Sequence, residues 1–172
     1  MFTTSPSQID GIRIRIKVGF LIRNQGPGIA SNVFITILVY EFPGEDGSIS
    51  FQPQDSQNWS GSWSFGRHLS LIAKDGVKLP PNAHFQPVIM EAAIEPPFDK
   101  GLRIECTVGS AESEPHMFSL ICDTETINKL YRELIDKASK GKLTKKDRFN
   151  FTSRFLNLKK DEFEETQPGN AL

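Results

Sequence analysis

The chain has 172 residues, 38% hydrophobic and 24% charged, with a net charge of −1. That length suits one ordinary domain with an extension, and no apolar run approaches the ~20 residues that span a bilayer, so we expect no membrane anchor. The start, MFTTSPSQIDG, has neither the basic residues nor the apolar stretch of a secretory signal, which points to a cytoplasmic chain or one cut from a larger polypeptide.

Charge is unevenly spread. Residues 1–136 carry a net −5, residues 137–160 a net +8 and residues 161–172 a net −4. A basic segment between acidic neighbours can meet nucleic acid, a phosphate-bearing ligand or the chain's own acidic part.

In chain order, residues 1–10 read as an N-terminal tail and 11–122 as a β-sandwich. Residues 123–160 read as a helical hairpin, and 161–172 as an acidic, disordered tail. Ile12, Ile14, Ile16, Val18, Phe20 and Ile22 share one face of a long first strand, with Arg13, Arg15, Lys17 and Arg23 on the other. Asn24 to Gly28 form a corner: Pro27 forbids ladder pairing, and Gly26 and Gly28 are expected to supply positive φ. Val33, Ile35, Ile37 and Val39 then repeat the alternation. Phe34, Leu38 and Tyr40 make the outer face of this second strand apolar too, so a covering element is expected there.

A polar stretch with tryptophans leads to short strands around Trp63 to Ala73, a turn at Pro80 and Pro81, and a strand from about Pro87. GLRIECTVGSAESEPHMFSLIC is a hairpin with its turn centred on Glu112 and Ser113. Cys106 and Cys122 face inward but are offset across that hairpin, so they read as reduced core thiols. At Asp123 the period changes. Asp123 or Thr124 caps a helix whose apolar stripe runs Ile127, Leu130, Tyr131, Leu134, Ile135 and Ala138, and Gly141 ends it. A second helix starts with Thr144 as cap, has Asp147 near N3 and carries Phe151, Phe155 and Leu158. The fold class is therefore mainly β: an antiparallel two-sheet sandwich, which the resemblance below implies to be immunoglobulin-like, followed by a C-terminal two-helix hairpin.

The stretch IRNQGPGIASNVFITI, through Asn24, Gly26, Gly28, Ala30, Asn32 and Val33, resembles the signature of bacterial immunoglobulin-like modules of the cell-adhesion-related (CARDB-like) kind. The resemblance implies a sandwich appended to a multidomain protein, such as those with a Schlafen-type AlbA or ATP-binding part. It brings no catalytic residue with it.

The chemistry-bearing residues favour binding over catalysis. His68, His84 and His116 are scattered without zinc spacing, no Gly-x-Ser-x-Gly elbow occurs, and Glu112 and Glu114 fall in a turn, so no catalytic residue, metal or cofactor is expected. Two surfaces are candidates. Trp59, Trp63 and Phe65 share parity, with Arg67 and His68 next to them, and could stack on sugars or bases or instead plug the core. Lys137, Lys140, Lys142, Lys145, Lys146, Arg148 and Arg154 gather at the helix junction among phenylalanines, either as a nucleic-acid site or as a solvated face. The reading is a non-catalytic interaction or regulatory module with a protein or neighbouring domain as partner. The alternatives are nucleic acid through residues 137–160 or carbohydrate through the tryptophan loop.

Overall fold

The computed structural model describes residues 2–10, 13–44, 49–64, 67–158 and 163–165. The first strands are β1 (Phe2–Thr4), β2 (Gln8–Asp10), β3 (Arg13–Arg23), β4 (Ala30–Ser31) and β5 (Phe34–Glu41). There follow β6 (Ile49–Pro53), β7 (Trp59–Ser64), β8 (His68–Ala73), β9 (Lys78–Leu79) and β10 (His84–Ile94). The chain closes with β11 (Leu102–Ser110), β12 (Ser113–Cys122), α1 (Thr124–Ser139), α2 (Lys145–Phe155) and β13 (Phe163–Glu165). Sheet one runs β13-β1-β3-β10-β6 with β2 also on β3, sheet two runs β12-β11-β5-β8-β7, and β4 pairs with β9 as a small ribbon. Every pairing is antiparallel except β1 with β13.

The alternation seen in the sequence sets the layers. Ile14, Ile16, Val18, Phe20 and Ile22 of β3 and Ile35, Ile37 and Val39 of β5 are buried in one core that both sheets share; Ile12 lies outside the described residues. The same core takes in Ile127, Leu130 and Leu134 of α1 and Phe151, Phe155 and Leu156 of the second helix. The result is a mainly β, antiparallel two-sheet sandwich with a helical hairpin built into its core.

Residues 2–4 are not a tail. Phe2 is buried, and its ring meets Phe20 of sheet one and Phe118 of sheet two edge-on, each at 5.3 Å. A three-residue strand with one aromatic shows no alternation to read, so the burial of Phe2 is a tertiary fact. Farther along, the amide and hydroxyl of Ser7 donate to the Arg148 carbonyl, tying the N-terminal segment to α2. The acidic tail also needs correction at residues 163–165, which pair in parallel with β1; residues 161–162 and 166–172 lie outside the described residues.

Neither corner glycine, Gly26 or Gly28, adopts a left-handed φ; that conformation falls on Asn32, at +48°. Asn24 builds the corner instead. Its Oδ1 accepts from Gly26 N at 2.9 Å, and its Nδ2 donates to the carbonyls of Gly28 (2.7 Å) and Leu79 (2.8 Å). Its main chain exchanges bonds with Ala83 and Asn82. One amide side chain thus closes an Asx turn and fastens it to β9.

The β11–β12 turn is tighter than expected, since Ser110 faces Ser113 and leaves only Ala111 and Glu112 between them. Pro115 and His116 therefore lie in the strand. An edge strand such as β12 tolerates Pro115 because one side of its backbone has no ladder to feed. Cys106 stands opposite Phe118 and Cys122 opposite Leu102, and both thiols are free and buried. Burial pushes the Cys106 thiol up strongly and that of Cys122 up to about 11, so both are inert core groups.

Asp123 caps α1 by accepting from Thr126 N at 2.7 Å, and Gly141 leaves the helix at a φ of +64°. Tyr131 packs edge-on against Phe98, in the β10–β11 connection, with ring centroids 5.0 Å apart. This places the helices at the end of the sandwich opposite the Asn24 corner, because β11 runs from that connection toward the corner end.

Asn24→Ala is expected to lower unfolding stability by about 2–3 kcal/mol, as it removes three side-chain bonds at a corner. Gly28→Ala, where an added Cβ meets nothing within 4 Å, should stay within about 1 kcal/mol of the parent chain. Urea denaturation of the two variants checks the order.

Candidate interaction surface

The expected aromatic strip fails at its first residue. Trp59 is only 4% exposed and meets Phe85 of β10 edge-on, 6.4 Å between centroids, so it pins one sheet to the other. Trp63 pairs by backbone with Leu69, while its side chain and Phe65 lie outside the described residues. Strand parity told which residues share a face; it could not tell which face turns inward. Arg67 is exposed beside the β7–β8 turn, with its carbonyl accepting from Val39 N at 2.7 Å, and His68 is half-buried on the outer face of sheet two. Neither joins Trp59 in a common surface.

The basic junction is divided by its own acids. Lys137 pairs with Asp147 at 2.6 Å, Lys140 with Asp136 at 2.7 Å and Arg154 with Glu133 at 3.2 Å. Arg148 is half-buried, and its Nε is sequestered without a hydrogen-bond partner among the described residues. That leaves Lys142, Lys145 and Lys146 exposed with no ion pair among the described residues. Two of them sit in the first turn of α2, where cations oppose the helix dipole. Asp147 offsets this. It closes a capping box with Thr144, and its bonds from Lys137 and then Thr144 hold its carboxyl well below the usual carboxylate range. The junction is thus organised as a structural cap.

The outer faces of the two sheets differ in kind. Sheet one presents charges that pair across strands: Arg13 forks onto Glu95 with two 3.0 Å bonds, Arg15 meets Asp10 at 3.3 Å and Lys17 meets Glu91 at 2.8 Å. Sheet two presents Tyr40, Ile72, Met117 and Ile121, which are 50%, 51%, 68% and 53% exposed. Half-buried Phe34 and Leu38 lie between them, and the Arg103 guanidinium covers the Tyr40 ring at 5.0 Å. Thr36 and Ser70, 3.3 Å apart, form the small polar centre of this face. The expected covering element is absent among the described residues. Apolar strand residues left on a solvent face in this way mark a docking surface.

No protein-family model matches the chain, and no curated protein matches it by sequence. Among solved structures, the GH20 exo-β-N-acetylglucosaminidase from Vibrio harveyi matches at 16% identity over 69% of this chain, with a TM-score of 0.29. This chain spans only 16% of the length of that enzyme. AvmM, which catalyses macrocyclization in alchivemycin A biosynthesis, matches at 12% identity over 72% of this chain and 87% of its own, with a TM-score of 0.34. A mutant of carbohydrate-binding module CBM3b from cellobiohydrolase 9A of Clostridium thermocellum matches at 17% identity over 71% of this chain and 80% of its own, with a TM-score of 0.32. Scores at this level carry no argument about function.

The Asp147 cap makes a pH prediction. A carboxyl held low in the fold contributes stability that is present above its unfolded value near ~3.9 and is lost as pH falls through the folded one. Asp147→Ala should therefore melt below the parent at pH 7. The gap between the two melting temperatures, followed by circular dichroism, should narrow steadily as pH drops from about 4 toward 2, below the unfolded value of the carboxyl.

Proposed function

We propose that the protein is a non-catalytic interaction module, part of a larger polypeptide, that docks a protein partner or neighbouring domain on the outer face of sheet two. The observation that supports this reading most is the placement of Tyr40, Ile72, Met117 and Ile121. Four of the five exposed large hydrophobic side chains among the described residues fall on that one sheet face, the fifth being Ile29. Exposed apolar side chains scattered singly need no explanation, whereas several on one sheet face suit a partner; Met117 and Ile121 of β12 stand across the β11 row of Arg103, Glu105 and Thr107 from Tyr40 and Ile72. Arg103 over Tyr40 adds the aromatic and arginine pairing on which interfaces draw for much of their energy. The resemblance of the Asn24 to Val33 corner to bacterial CARDB-like modules fits the same reading, since such modules are appended to larger proteins.

The carbohydrate alternative needed Trp59 at the surface and loses its support with that residue in the core. The nucleic-acid alternative keeps three unpaired lysines, fewer than the seven basic residues the sequence offered.

The test uses the double variants Ile72→Glu with Met117→Glu, and Lys145→Glu with Lys146→Glu. Both pairs are exposed and should keep the far-ultraviolet spectrum of the parent. The first pair is expected to abolish co-purification of the native partner, and the second to retain it. Salt-sensitive binding of labelled DNA or RNA by the parent, lost only with the lysine pair, would overturn the proposal and move the function to the helices.

A further inference from the structure

Sheet two ends on one side in β12, whose 10 residues make it the longest edge strand among the described residues. An edge leaves a row of N–H and C=O groups without a ladder, and the hydrogen bonds of this sheet tell which residues of β12 carry them. Val39 N donates to the Arg67 carbonyl at 2.7 Å and Ala73 N to the Val33 carbonyl at 2.8 Å, so the odd residues of β5 address β8 and the even ones address β11. Carried through the registers of Leu38 with Glu105 and of Cys106 with Phe118, this alternation turns the backbone groups of Phe118, Leu120 and Cys122 toward β11. Met117, Ser119 and Ile121 turn theirs to the free edge.

That edge is unguarded. Natural edges are blunted by charge, proline or a bulge. Here Glu114, Pro115 and the register shift stand only at the start of the strand, and Met117 to Cys122 holds neither a charged residue nor a proline. The stretch is also self-complementary. Two copies of β12 laid antiparallel with Ser119 on the two-fold axis set Met117 opposite the partner's Ile121 and Ser119 opposite the partner's Ser119. All three outward residues then meet outward residues, and each such pair exchanges two N–H···O bonds. The exposed side chains join in, since those of Met117, Ser119 and Ile121 all lie on the outer face. β7, the other edge of sheet two, offers less: its exposed side chains among the described residues are Ser60 and Ser62, which bring no apolar surface to a contact.

We propose that the protein forms a two-fold homodimer by antiparallel pairing of β12 with the same strand of a second copy. The contact joins two five-stranded sheets into one continuous sheet and buries Met117 against the partner's Ile121 on both sides of the axis. It has the isologous form of closed dimers and takes its hydrogen bonds from the main chain. It uses the edge of sheet two, whereas the partner docking proposed above uses the face, so either can fail alone.

Sedimentation equilibrium of the full chain over a range of concentrations tests the dimer. The parent is expected to approach twice its 19.3 kDa mass. Ser119→Pro removes an N–H that the ladder with β11 does not use, and Ser119→Glu sets a carboxylate against its own copy and beside Glu105, its neighbour on β11. Each is expected to weaken association about tenfold or more while keeping the circular dichroism spectrum of the parent. Ile72→Glu, on β8 and three strands from the edge, should dimerise as the parent does. A parent that stays at 19.3 kDa at every concentration, a dimer that neither Ser119 variant weakens, or one that Ile72→Glu dissociates would overturn the assignment.

Discussion

Phe2 stands between the two sheets, edge-on to Phe20 on one and Phe118 on the other, and the rest of the molecule is organised around the core it helps to close. A two-sheet sandwich must fill the space between its layers at crystal-like density, so any element that contributes to that space becomes part of the fold rather than an appendage. Trp59, packed on Phe85, bridges the same two layers farther along. The helical hairpin obeys the same rule at one end, where Ile127, Leu130, Leu134, Phe151 and Phe155 continue the apolar cluster. The Ser7 bonds to the Arg148 carbonyl secure the join.

This packing decides which surfaces remain available. One end is plugged by helices, and the other carries a cleft beside the Asn24 corner. The outer face of sheet one is laced by Arg13, Arg15 and Lys17 with their acidic partners. Among the described residues, the outer face of sheet two carries four of the five exposed large hydrophobic side chains. Three of the seven lysines and arginines at the helix junction pair with acids on the same hairpin, and exposed pairs of this kind are of small individual worth. The charge run therefore says less about partners than its density implies.

Much of the architecture was legible in the sequence because it rests on local periodicity. The period-2 alternation of Ile14 to Ile22 and Ile35 to Val39, the Asp123 and Thr144 caps, the Gly141 stop and the offset of the two cysteines are all properties of neighbouring residues. What escaped depends on distant ones. Phe2 to Thr4 is too short to show a period. The inward turn of Trp59 is set by Phe85. The pairing of Lys137, Lys140 and Arg154 depends on how two helices meet. The corner motif was legible as a corner, but the residue that builds it is Asn24, through bonds to Leu79 and Ala83 far along the chain, and not the glycines. The apolar outer face of the second strand was legible as well, while its lack of a cover was not.

The central claim is that sandwich and hairpin share one core and unfold together. It is tested most directly by Phe155→Ala, which removes a fully buried ring of α2, with urea unfolding followed at once by tryptophan fluorescence and by helical circular dichroism. Both tryptophans lie in β7, within the sheets. The account predicts that the two probes stay superimposed and shift together by about 3–5 kcal/mol, the cost of a large-to-small change in a core. A helical signal lost in a separate, earlier transition, with the tryptophan transition unmoved, would contradict it.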